Sequence, residues 1–162
     1  MELDIVQYEI DREIKEGIDR IISNLFNKSS AELVLLTDDA GRIVCLCGDK
    51  LSNDYAAEFL ASIISGVFGA ALEMGKILSM EDLDILQYES KNMDVVIKFI
   101  PPRFLLGVLV RKGTSLGTVR LFLREASEEL SSQMENLKFV PVKTIKMDVK
   151  TLEEKLNKLL GS

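Results

Sequence analysis

Apolar residues recur at helical spacing near the start of the chain, at Ile10, Ile14, Ile18, Ile21, Ile22 and Leu25. Glu9, Arg12, Glu13, Lys15 and Glu16 fill the other side. Positions three and four apart share one helical face, so the pattern predicts a first helix from about Tyr8 to Asn27. Met1–Gln7 reads as an arm or a frayed first turn. The periodicity then shortens. Two apolar runs, Glu32–Thr37 and Arg42–Cys47, flank Asp38-Asp39-Ala40-Gly41. Aspartate tolerates turn geometry and glycine takes positive φ, so these runs form a hairpin. Asn53 or Asp54 caps a long second helix reaching about Leu78.

Three further strands follow at Asp84–Ser90, Met93–Ile100 and Phe104–Arg111, with turns at Lys91-Asn92 and Pro101-Pro102. The run FLLGVLV has no polar face, which places it centrally in a sheet covered on both sides. Thr114 or Ser115 caps a third helix, whose stripe is Leu116, Val119, Leu123, Ala126 and Leu130. Ser131-Ser132-Gln133 reads as a polar joint, and KFVPVKTIKM shows no strong pattern. The chain closes on an amphipathic helix over Asp148–Leu160. Thr151 and Glu154 make a capping box there, and Leu152, Leu156, Leu159 and Leu160 make an apolar stripe. So short a helix is marginal alone and calls for something to dock on.

The order α-β-β-α-β-β-β-α implies an α/β fold of the α+β sandwich type, a five-stranded antiparallel sheet between helices with a C-terminal tail helix. Residues 1–130 form the expected domain and residues 131–162 the tail.

The second helix carries two interior glycines, Gly66 and Gly69. Each costs about 1 kcal/mol relative to alanine. Stepping about 100° per residue, Leu60, Ile64, Val67, Ala71, Met74 and Leu78 fall on one side, the expected core stripe. Ser62, Gly66, Gly69 and Glu73 gather opposite, with Glu58, Ser65 and Ala70 beside them. A solvent-facing surface would ordinarily carry Lys, Glu, Arg or Gln. Either this face is exposed and merely small, or small residues three and four apart admit the close approach of another backbone.

The 162 residues suit a domain with a real core. A net charge of −6 argues against a phosphate-binding surface, so no nucleic acid is expected. The absence of histidine excludes a Ser-His triad and any histidine metal ligand, and no metal or cofactor is expected. Cys45 and Cys47, spaced C-x-C, read as small apolar fillers in a reducing compartment. Lys112–Ser115 is a loop and cap rather than a phosphate loop, and no G-x-G-x-x-G follows a strand. Asp38-Asp39 and Glu81-Asp82 read as turn chemistry, and Asp49 with Asp54 lacks calcium-loop spacing. Arg120 and Arg124 read as a solvated face. These absences argue against a self-contained enzyme. The acidic N-terminus lacks an apolar signal core, and no apolar run approaches the length of a membrane span. A cytoplasmic protein without a transmembrane segment is expected.

Three stretches together resemble the Roadblock family: LVLLTDDAGRIVCLCG (Leu33–Gly48), the small-residue second helix, and GVLVRKGTSLGTVRLFLREASEEL (Gly107–Leu130). The resemblance spans about residues 8–130 and is greatest to bacterial members that regulate a Ras-like GTPase. It implies a homodimer in which the second helices pair and the Asp84–Ser90 strands meet in one ten-stranded sheet. The paired helices would then dock the GTP-bound GTPase and stimulate its hydrolysis by rearranging its own switch residues, without an arginine finger. The tail helix would also bind the GTPase and tune nucleotide exchange. Carried onto this chain, the partner face is Phe59, Ser62, Ser65, Gly66, Gly69, Ala70 and Glu73, and Leu86 and Tyr88 join the dimer contact. Arg103 and Arg111 are the candidates for a contributed positive charge.

The function implied is that of a non-catalytic regulator in cell polarity or motility. The alternative is a Roadblock scaffold dimer that leaves turnover unchanged. A small-molecule sensor would need a concave pocket with convergent polar groups, which no motif announces.

Overall fold

The structure is a computed structural model that describes residues 6–49, 51, 53–141 and 149–161. Its elements are β1 (Val6–Glu9), α1 (Arg12–Ser29), β2 (Leu33–Asp38), β3 (Ile43–Cys47), α2 (Asp54–Ile77), β4 (Ile85–Glu89), β5 (Met93–Ile100), β6 (Phe104–Arg111), α3 (Leu116–Met134), β7 (Lys138–Pro141) and α4 (Val149–Leu159). They divide into two compact units, one over residues 11–135 and one made of residues before 11 and after 135.

The larger unit holds a five-stranded antiparallel sheet in the order β3-β2-β6-β5-β4. Strand β6 lies at its centre, and β2 is buried at every position, as a strand covered on both faces must be. Successive side chains alternate between faces. Leu35, Ile97 and Leu105 point to one face and pack with Ala61, Ile64 and Phe68 of α2. Val34, Leu36, Val96, Leu106 and Val108 alternate with them and are buried on the other. That second face lies against α1 and α3, whose buried stripes include Ile18, Ile22 and Leu25, and Val119, Leu123 and Leu130.

Local chemistry fixes the element ends. Asp11 caps α1, its carboxylate accepting from Ile14 N at 2.9 Å. The helix therefore starts at Arg12, and Tyr8 and Glu9, expected in it, lie in β1 instead. Asn53 caps α2 by accepting from Ala56 N at 2.8 Å, and Ser115 caps α3. The expected joint at Ser131–Gln133 is helical, because Leu130 and Met134, one turn apart, both bury and carry α3 past it.

The β2–β3 turn is held by Asp38, which is fully buried. Its Oδ1 accepts from Ala40 N and Arg42 N, both at 2.9 Å, and its Oδ2 accepts from Arg42 Nε at 2.9 Å. Gly41 takes φ +81° to close the turn. The register between β2 and β3 slips beside Leu36, leaving Val44 as the extra residue, and Lys15 Nζ donates to the Val44 carbonyl at 3.1 Å.

The smaller unit pairs β1 antiparallel with β7, aligning Tyr8 with Phe139, whose rings meet edge-on at 6.1 Å. The expected patternless stretch therefore includes a strand. Helix α4 matches the expected tail helix, with its three leucines, Leu152, Leu156 and Leu159, and Leu160 just past its end exposed. Of the expected arm Met1–Gln7, Val6 and Gln7 are strand β1, drawn into it by pairing with β7, while residues 1–5, the Asp148 start, and the side chains of Asp54 and Thr151 lie outside the described residues.

Candidate functional site: the outer face of the second helix

Helix α2 is apolar around much of its circumference. Its inner stripe is Ala57, Ala61, Ile64 and Phe68, packed on the sheet. Around the rest of the helix, away from the sheet, run Phe59, Ile63, Val67, Met74 and Ile77, exposed at 60, 48, 47, 55 and 83 %. The expected core stripe is corrected accordingly. Leu60, Ile64 and Ala71 turn inward, but Val67, Met74 and Leu78 do not. Large residues occur nearly all round this helix, so their spacing left its phase ambiguous. The small Ala57 and Ala61 let the helix settle onto the sheet beside Ile64 and Phe68. The outward Ile63, Val67, Met74 and Ile77 are the residues the sequence reading missed.

The same composition corrects the membrane expectation. The stretch Tyr55–Ile77 is long and apolar enough to cross a bilayer, with a mean hydropathy of 1.6. Here it forms a sandwich helix whose inner stripe covers the sheet.

The small face divides into two parts. Ser62 and Ser65 make room for the chain's own β2–β3 turn. A Cβ added to Gly41 would lie 2.9 Å from Ser62 Cα, and Ser65 Oγ donates to the Asp39 carbonyl. Asp39 N donates in turn to the Arg103 carbonyl at 2.7 Å, and Arg103 Nε to Asp39 Oδ2 at 3.3 Å. The Arg103 guanidinium is thus spent on tying two turns together. Gly66 and Gly69 differ: a Cβ at either meets nothing within 4 Å. Ala70 is exposed beside them, and Glu73 pairs with Lys76 at 2.8 Å. Two glycines thus sit in open space beside exposed apolar side chains, an outward apolar surface of the kind that marks an interaction site.

Strand β4 is one edge of the sheet. An edge strand offers unpaired N–H and C=O groups to another strand. Tyr88 on it is 68 % exposed, whereas Leu86 is half-buried against the α2 cluster. On the opposite face, Gln87 Oε1 accepts from Arg120 Nη1 at 2.8 Å, and Arg124 lies 4.0 Å from Asp84. The two arginines expected on a solvated face therefore brace β4. Arg111 pairs with Glu32 at 2.6 Å.

The perturbed groups lie apart from this face. Lys112 Nζ donates to the buried Asp94 at 3.0 Å, which holds its ammonium above the usual lysine range. Burial, helped by the hydrogen bond from Cys45 to Asp19, pushes the Cys45 thiol up to about 12. Asp19 is held below the usual carboxylate range by Lys15, which donates to it at 2.6 Å. Cys45 and Cys47 are both free, and among the described residues no group of three Cys, Asp or Glu side chains is placed to hold a metal.

A five-stranded antiparallel sheet with one long helix on one face and a helix pair on the other defines a Roadblock-type sandwich. No protein-family model matches the sequence. A protein of Aquifex aeolicus, described as uncharacterized, is 39 % identical across the whole of both chains. Among solved structures, MglB of Myxococcus xanthus superposes with a TM-score of 0.72 at 25 % identity, over 78 % of this chain and 93 % of that one. A Roadblock/LC7 domain from Streptomyces avermitilis superposes at 0.66 with 14 % identity, over 72 % of this chain and 96 % of the other. The chain has a Roadblock-type, MglB-like fold.

Proposed function

We propose that two copies of this chain pair through their β4 edges and α2 outer faces, and that the joined helices bind a Ras-like small GTPase of the MglA type in its GTP form. The protein is then a non-catalytic cytoplasmic regulator in cell polarity or motility, stimulating hydrolysis by positioning the GTPase's own switch residues. The observation that carries this reading is the exposed apolar surface of α2 beside two unobstructed glycines. Fully burying one such side chain is worth about 1.5–3 kcal/mol, so covering several supplies a strong drive to assemble. The partner-facing residues are Phe59, Gly66, Gly69, Ala70 and Glu73, extended by Ile63, Met74 and Ile77. Ser62 and Ser65 shape the rim through the β2–β3 turn, and Tyr88 with the outer edge of Leu86 joins the dimer contact.

The pairing of Arg103 with Asp39 favours positioning over a donated guanidinium. The test replaces Gly66 and Ala70 with arginine and measures binding to the GTPase carrying a non-hydrolysable GTP analogue. Both positions have room, so the fold should survive and binding should be lost. A folded double variant that binds like the parent would reject the site. Binding without any change in the rate of hydrolysis would leave a scaffold in place of an activator.

A further inference from the structure

The β2–β3 turn is fastened to two other segments of the chain. Ser65 Oγ of α2 donates to the Asp39 carbonyl, and Asp39 N donates to the Arg103 carbonyl of the β5–β6 turn at 2.7 Å. Arg103 Nε returns to Asp39 Oδ2 at 3.3 Å. Gly41 closes against the backbone of Ser62, so no side chain fits between turn and helix there. Within the turn, the buried Asp38 carboxylate accepts from Ala40 N and Arg42 N. Connecting turns ordinarily keep more freedom than this. Here two turns and one helix are made into one rigid piece.

The braced turn stops where the open part of α2 begins. Ser62 and Ser65 meet it, while Gly66 and Gly69, one helical turn further on, would present a Cβ to nothing within 4 Å. The turn is therefore a wall beside an unobstructed stretch of helix, with Asp39 and Ala40 exposed on it. Its place in the sheet says which partner meets it. The order β3-β2-β6-β5-β4 puts the β2–β3 turn at the edge opposite β4. A second copy joined along β4 adds its strands on the far side. The wall is left to the other molecule that α2 receives.

We propose that Ser65, Asp39 and Arg103 are positioning residues for the GTPase. Their brace fixes the β2–β3 turn as a stop beside Gly66 and Gly69, and a switch segment laid over the glycines is held by it in one register. An element that is already rigid loses little entropy on docking, and a misplacement of about 1 Å at the reacting groups costs about a hundredfold in rate. The inference rests on the function proposed above and names the part of the surface that sets the geometry of hydrolysis.

Single-turnover GTP hydrolysis by an MglA-type GTPase, titrated with the full chain, tests it. Ser65→Ala/Arg103→Gln removes the hydroxyl donor and the guanidinium and adds no bulk to the surface. Its maximum rate at saturation should fall by about tenfold to a hundredfold, with the half-saturating concentration unchanged. Ser65→Ala alone, the milder variant, should also be slow, and Ser65→Thr, which keeps the hydroxyl, should match the parent. Circular dichroism and sedimentation velocity should show the parent's fold and self-association in all of them. A brace that serves stability alone would lower Tm and leave the saturated rate untouched. Folded Ser65→Ala and double variants that reach the parent's maximum rate, or whose only loss is in self-association, would overturn the proposal. A parent chain that gives no acceleration would overturn the function itself and this inference with it, so the parent's own rate tells the two failures apart.

Discussion

Replacing both Gly66 and Gly69 by alanine separates the stability of the chain from the stability of its assembly. An interior helical glycine is about 1 kcal/mol less favourable than alanine. Neither position has positive φ, and an added Cβ meets no atom within 4 Å at either. The isolated chain should therefore gain about 2 kcal/mol. At about 2–4 °C per kcal/mol for a chain of this size, its Tm should rise by roughly 4–8 °C. The assembly should respond in the opposite sense. Extra methyl groups forced into a close helix crossing cost about 1–3 kcal/mol, a weakening of roughly 5- to 150-fold in dissociation constant. Thermal unfolding at protein concentrations below the dimer dissociation constant reads the first effect, and sedimentation equilibrium reads the second. A variant that gains stability and self-associates as tightly as the parent would refute the idea that these glycines are kept for backbone approach. A variant that loses stability while monomeric would refute the geometry of α2 itself.

Gly41→Ala should lower stability by about 2 kcal/mol, because φ +81° strains any side chain and the new Cβ would meet the Ser62 backbone. Urea unfolding measures it, and a change below about 0.5 kcal/mol would contradict the packing of this turn on α2. Cys45 should resist iodoacetamide at pH 8, since raising the thiol from 9 to about 12 cuts its thiolate by about a thousandfold. Peptide mapping should find Cys47 alkylated first, and equal rates would contradict the burial of Cys45. The ion pair of Lys112 with Asp94 raises the lysine above 10.5, so its contribution is complete below that pH and is lost as pH climbs through the raised value. Cys45 acts in the same direction between pH 9 and 12. Melting curves in a Cys45→Ala background should therefore still fall above pH 10.5, and Lys112→Met should flatten that fall.

The sequence shows its local devices clearly. The Asp38–Gly41 turn, the caps at Asn53 and Ser115 and the apolar FLLGVLV run of β6 each act through neighbouring residues, and each appears in the structure where its chemistry puts it. What was illegible depended on distance or on phase. The β1–β7 pairing joins Val6 to Pro141, and four-residue strands so far apart leave no shared local signal. The orientation of α2 failed for a different reason. A helix apolar around much of its circumference has no single hydrophobic direction, so only contact with the sheet decides between Ala61–Phe68 and Val67–Met74. The small face misled in part, because Ser62 and Ser65 are small for the chain's own turn while Gly66 and Gly69 are not occupied by anything within it. Arg103, a candidate for a contributed positive charge, and Arg120, read as part of a solvated face, acquire partners only through segments that are remote in sequence.

The most direct test of the central claim is single-turnover GTP hydrolysis by an MglA-type GTPase, with this protein in excess and with its Gly66→Arg/Ala70→Arg variant. Acceleration by the parent and none by the folded variant is the predicted result. A rate unchanged by the parent, or equally raised by the variant, would contradict the assignment of the α2 face as the surface that activates the GTPase.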